Sequence, residues 1–177
     1  MSARRAPTWG WWMSPDLTSA SVPQATDRDH VRGEGREVVA YLDLACPHCA
    51  ATWVQLDGLP LRLAFRHFPV ASKHPRAPAL HAASEAATLQ GGEAAFWALV
   101  DSIYRGQGRL DDPHLWERAR ALGLDLERFE HDRRSEAIVE RVRRDFESGI
   151  RAGVIGTPAA FVDGRPIAGD LASRLAL

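Results

Sequence analysis

The chain has 177 residues, 45% of them apolar, which suits one domain or one domain carrying a large insertion. Its 22 basic and 23 acidic residues leave a formal net charge of −1, so there is no basic field to attract nucleic acid or an anionic membrane surface. No run approaches the roughly 20 apolar residues of a membrane span. Neither a nucleic-acid nor a membrane partner is expected.

Residues 1–29 carry little pattern, apart from the tryptophans Trp9, Trp11 and Trp12. Arg4 and Arg5 resemble the start of an export leader. Pro7, Gly10, Pro15 and Asp16 then break any apolar segment of ~7–15 residues, so a cytoplasmic location is expected. Residues 29–35 read as a turn-rich lead-in. The apolar run 38–44 suits a strand covered on both faces. Cys46-Pro47-His48-Cys49 follows and holds the chain's two cysteines. A helix is expected from Pro47, whose missing N–H costs nothing in a first turn, to the stop signal Asp57-Gly58. Residues 59–68 form a second strand, with Leu61, Leu63, Phe65 and His67 on one face. A strand–helix–strand unit this short predicts a parallel crossover.

Helical signals dominate from about 75 to 153. Residues 77–90 are alanine-rich and stop at Gly91-Gly92. Residues 93–104 place Phe96, Trp97, Val100 and Ile103 at helical spacing. Asp111-Asp112-Pro113 opens a helix reaching 122, and 124–131 is a short helix or turn. Ser135 caps a last helix with Ile138, Val142, Phe146 and Ile150 spaced by four. Residues 159–162 and 165–168 flank Asp163-Gly164, a hairpin signal, and a short closing helix begins at Leu171.

A lone Cys-x-x-Cys in a reducing compartment is redox-active or metal-binding more often than it is a structural staple. At a helix N-terminus, unpaired N–H groups and the helix dipole favour a Cys46 thiolate, and His48, if protonated, adds a second charge. Cys46, the more exposed of the pair, is then the nucleophile and Cys49 resolves the mixed disulfide. Gly156-Thr157-Pro158, just before a hairpin strand, suggests a cis X-Pro bond that presents the Thr157 backbone to an extended substrate segment. A zinc site needs four ligands; His67, His74 and His81 lack ligand-like spacing with the cysteines, so no metal and no cofactor is expected.

Residues 41–49, Phe65-Arg66-His67-Phe68-Pro69 and the run from Gly156-Thr157-Pro158 to Asp163-Gly164 together resemble the DsbA family of thiol:disulfide oxidoreductases. The resemblance runs from about Asp29 onward. It implies an α/β, thioredoxin-like fold with a helical domain inserted between the βαβ unit and the C-terminal β-hairpin. The expected division is a poorly patterned segment at 1–29, a thioredoxin-like domain at 30–74 and 154–177, and the insert at 75–153. The resemblance also implies a redox-active pair at Cys46 and Cys49, with Pro158 as the cis-proline facing it. Ala40 stands where the family often has a buried acid that moves a proton for the second cysteine, leaving Asp43 or solvent for that task. The expected partners are protein or peptide thiols and disulfides, with a redox partner or glutathione for recycling. Two alternatives stay open: a glutathione-dependent transferase or isomerase of the same superfamily, and a non-catalytic, metal-binding or interaction module.

Overall fold

The computed structural model describes residues 24–167 and 171–175. Trp9, Trp11 and Trp12 lie outside the described residues. The elements run β1 (His30–Arg32), β2 (Arg36–Leu42), α1 (Pro47–Leu56), β3 (Leu61–His67), α2 (Ala77–Arg105), α3 (Asp112–Ala121), α4 (Leu126–Asp132), α5 (Glu136–Arg151), β4 (Ala159–Val162), β5 (Arg165–Pro166) and α6 (Leu171–Leu175). The sheet order is β1-β3-β2-β4-β5. Strands β2 and β3 are parallel, with Val38 opposite Leu63 and Leu42 opposite His67. Strand β4 runs antiparallel to β2, and β1 antiparallel to β3. The fold is thioredoxin-like α/β with a helical segment between β3 and β4. Among the described residues no helix is long and apolar enough to cross a membrane.

Alternation along the strands feeds two apolar layers. Val38 and Leu42 of β2, with Leu63 and Phe65 of β3, pack against Trp53 of α1 and Leu80, Phe96 and Leu99 of α2. The same cluster continues to Leu115, Phe129 and Ile138, so the helical segment shares its core with the sheet. On the opposite face Val39, Tyr41, Ala64 and Phe161 meet Phe68, Phe146, Ala152 and Val154. There α5 lies close to the sheet: a Cβ on Gly149 would stand 2.7 Å from the Phe68 ring. Ile150, expected on the buried stripe, is exposed. Each step of four residues rotates about 40° round a helix, so three steps carry Ile150 about 120° away from Ile138.

Side-chain caps set the starts of three helices, as Asp111, Asp125 and Ser135 accept the N–H groups of His114, Arg128 and Ile138. Asp163 and Gly164 join β4 to β5 with φ of 50° and 71°, the backbone a two-residue hairpin requires. The lead-in at 29–35 contains a strand that the sequence reading did not anticipate. Short β1 is held by its pairing with β3 and by Asp29, which takes Arg66 Nε at 2.9 Å and Nη2 at 3.0 Å in a fork. Both side chains are nearly covered. Arg66 also donates to Tyr41 Oη at 3.1 Å. Burial opposes the Asp29 charge, but Arg66 and Thr26 hold its carboxyl below the usual range. Asp29→Ala leaves a buried guanidinium unpaired. Urea denaturation should show a loss of about 3–5 kcal/mol, and unchanged stability would refute this anchoring role.

Candidate active site

Strand β2 ends at Leu42, and Asp43-Leu44-Ala45 carries the chain to Cys46, the residue that caps α1 with φ −88° and ψ 119°. Its carbonyl accepts the Ala50 N–H at 3.1 Å. Pro47 has no N–H, so His48 and Cys49 supply the first free donors of the helix. Both cysteines are free thiols. Cys46 is 3% exposed and Cys49 0%, so the expected difference in exposure is small. Cys46 Sγ lies 3.7 Å from the Thr157 carbonyl oxygen, to which it donates when protonated. The Thr157–Pro158 peptide bond is cis. The loop before β4 thus reaches the cysteine turn across 111 residues of sequence.

The two thiols differ sharply in acidity. Hydrogen bonding from the Cys49 thiol, then the backbone N–H of Cys49, Thr157 and the backbone N–H of His48, outweigh burial and hold Cys46 down to about 5. Burial first, and then the neighbouring Cys46, push Cys49 far above its ordinary value. The Asp43 N–H, donated to Cys49 Sγ at 3.4 Å, offsets only part of this. His48 enters the balance through its amide. Its ring is exposed and makes no hydrogen bond among the described residues.

The turn is fixed from below by Asp43, which the sequence reading offered as a proton carrier for Cys49, and by residues it did not connect to the turn. Asp43 is fully buried, accepting the Ala45 N–H at 2.8 Å and the Val70 N–H at 2.9 Å. Burial opposes its charge, but His81 and those two amides prevail and keep its pKa below the usual carboxylate range. Asp43 is therefore an anionic anchor of the turn, and its lone pairs are committed to the backbone. His81 Nε2 accepts the Leu44 N–H at 3.1 Å, and burial pushes His81 down to about 4, so its ring is neutral. Tyr104 and Gln107 hold the carbonyls of Asp43 and Leu44 at 3.4 Å and 2.9 Å. The available signal was His81 and Glu85, polar residues one turn apart on an otherwise alanine- and leucine-lined face of α2. Beside Pro158 lies an open cavity of about 540 Å³, lined in part by Val154, Thr157, Pro158 and Phe161. Ile155, at its rim, is 100% exposed.

The family model of the DSBA-like thioredoxin domain matches residues 53–175, a span that begins just past Cys49. The chain belongs to this family. DsbA-like proteins of known structure share its fold. Oxidised BdbD from Bacillus subtilis superimposes with a TM-score of 0.72 at 16% identity, covering 85% of this chain and 90% of that one. A thioredoxin-like oxidoreductase from Silicibacter pomeroyi DSS-3 gives 0.71 at 25% identity, covering 85% and 89%. Pseudomonas aeruginosa DsbA2 gives 0.65 at 24% identity, covering 86% and 94%. The DsbA-like fold supports a role in thiol:disulfide exchange. Among curated relatives, the Na(+)/H(+) antiporter NhaA of Herminiimonas arsenicoxydans is 39% identical over 161 residues, 86% of this chain and 25% of that protein. The NhaA 1 protein of Salinispora arenicola is 37% identical over 164 residues, 86% of this chain and 24% of that protein. The chain spans about a quarter of the length of these relatives.

Proposed function

We propose that this chain is a thiol:disulfide oxidoreductase that exchanges a Cys46–Cys49 disulfide with protein or peptide thiols. The observation that carries the reading is the split in acidity: Cys46 near 5 at the helix start, and Cys49 pushed far up behind it. In the oxidising direction a substrate thiolate attacks Cys46 Sγ, and the Cys46–Cys49 bond breaks. Cys49 leaves with the electron pair and takes a proton. A second substrate thiolate then attacks the substrate sulfur of the mixed disulfide, and Cys46 leaves as a stable thiolate. The substrate leaves as a disulfide and the pair is left as a dithiol. In the reducing direction Cys46 attacks and Cys49 resolves. Thr157 and Pro158 flank the reacting sulfur and offer backbone to an extended segment, with Ile155 as an apolar contact. His48 supplies an amide to the thiolate, and its ring is free to meet substrate. The cytoplasmic location, and recycling by a redox partner or glutathione, belong to the same proposal.

A stabilised thiolate favours the dithiol form and so makes the disulfide oxidising. Equilibration with glutathione buffers, read by thiol alkylation, should give a two-electron potential between about −200 and −120 mV. Absence of any reversible disulfide would sink the proposal.

The curated relatives favour a second reading, in which the domain acts as a thiol switch within or beside a Na(+)/H(+) antiporter. Mixed disulfides trapped in cells with Cys49→Ser would then include an antiporter. Capture of soluble proteins alone would rule this reading out.

A further inference from the structure

Behind the active-site turn, three side chains from three elements converge. His30 comes from β1, His67 from the end of β3 and Glu85 from α2, and all three are buried. His30 Nε2 lies 3.0 Å from Glu85 Oε1, and His67 Nε2 lies 2.7 Å from the same oxygen. The three ligand atoms fall within 4.8 Å of one another. Two imidazole nitrogens and a carboxylate form a donor set that suits a divalent first-row ion, and zinc in particular. Ligands about 2.0–2.2 Å from a tetrahedral zinc stand a little over 3 Å apart, so small outward shifts would open the cluster to an ion.

The outer nitrogen of each ring has a side-chain partner. His30 Nδ1 meets Glu93 Oε1 at 2.7 Å, and His67 Nδ1 meets His81 Nδ1 at 2.7 Å. Phe96 stacks on the His30 ring at 3.5 Å between centroids and fixes its plane. The Glu93 carboxylate is half-exposed and gives the cluster an edge toward solvent. The opposing group is Arg141, whose Nε lies 3.6 Å from Glu85 Oε1. It is paired more closely with Asp145 at 2.5 Å.

We propose that His30, His67 and Glu85 bind a divalent transition-metal ion, with zinc as the best match, and that Glu93 and His81 orient the two rings. This centre is separate from the cysteine pair and does not rest on the exchange reaction. The ion takes the place of the N–H groups that now point at Glu85. His30, with carboxylates on both nitrogens, gives up its Nε2 proton to solvent and keeps Nδ1–H on Glu93. The His67 proton shifts from Nε2 to Nδ1, and the His81 proton shifts from Nδ1 to Nε2, which gives up the Leu44 N–H and turns to Asp43 Oδ1, 3.7 Å away. Binding therefore clamps β1, β3 and α2 together and releases a proton, so affinity weakens as pH falls.

Cysteine thiolates bind zinc themselves, so the test uses the chain with Cys46→Ser and Cys49→Ser together. Zinc titration by calorimetry should give one ion per chain, and cobalt(II) should give a visible d–d band without thiolate charge transfer. His67→Gln or Glu85→Gln should abolish both signals. Glu93→Gln should weaken binding about 10- to 100-fold. Should the buried variants fail to fold by circular dichroism, Glu93→Gln decides, because its carboxylate is half-exposed. No ion at one-to-one stoichiometry, or affinity unchanged in Glu93→Gln, overturns the proposal.

Discussion

Cys46→Ser should lower the rate of disulfide exchange by about a thousandfold or more, whereas Cys49→Ser should arrest the reaction at an intermediate. The two substitutions differ because the thiols do different work. A serine hydroxyl at position 46 stays protonated where the thiol, held near 5, is ionised, so the first bond never forms. In Cys49→Ser the first attack proceeds, but no second sulfur displaces the substrate, and the mixed disulfide persists. A fluorescent disulfide peptide measures both effects: turnover by fluorescence release, trapped adduct by intact mass. Full turnover in Cys49→Ser with glutathione would move the chain to the single-thiol glutathione chemistry that the sequence left open. Activity in Cys46→Ser would remove the nucleophile assignment altogether.

The parts of this site that were legible in the sequence are those dictated by local chemistry. A cysteine pair at a strand-to-helix junction, a first-turn proline and an Asp-Gly hairpin state their conformations within a few residues. Strand β1 was not legible because three residues beside Gly33 and Gly35 have no strand pattern of their own. Only pairing with β3 and the Asp29–Arg66 fork make it a strand. Gly91-Gly92 read as the end of one helix. The backbone agrees: Gly92 takes φ 63° and ψ −160°, outside the helical region, so α2 is two helices meeting at a kink there. The least legible feature was the buried polar layer under the cysteine turn. His67 and His81 are 14 residues apart and touch at 2.7 Å, because β3 and α2 meet with one particular rotation of the helix. Ala40 suggested that a buried acid was missing. The structure places one behind the turn from another element, Glu85 on α2, held low by His30 and His67 despite its burial. Its position depends on tertiary packing that no local pattern encodes.

The redox potential should fall by about 30 mV per pH unit between pH 5 and 9, and by about 59 mV per unit below pH 5. Reduction of the disulfide adds two electrons. Above pH 5 the product holds one proton, on Cys49, because Cys46 remains a thiolate. Below that value Cys46 takes the second proton, and the slope doubles. The same difference governs stability. The folded pKa of Cys46 lies below its ordinary value of 9.0. The stabilisation of the reduced fold is therefore fully present near pH 9 and is lost as pH falls through about 5. Over that window the reduced protein should lose up to about 1.4 kcal/mol per pH unit relative to the disulfide form. Above pH 9 the sign reverses, since Cys49 stays protonated when folded but ionises when unfolded. Glutathione equilibria at several pH values, with denaturation of both redox forms, measure these slopes. Iodoacetamide labelling gives the midpoint directly. A break near pH 9 would mean that the helix terminus and the Cys49 thiol do not hold a Cys46 thiolate. An oxidising disulfide would then have no physical basis even if exchange itself were observed.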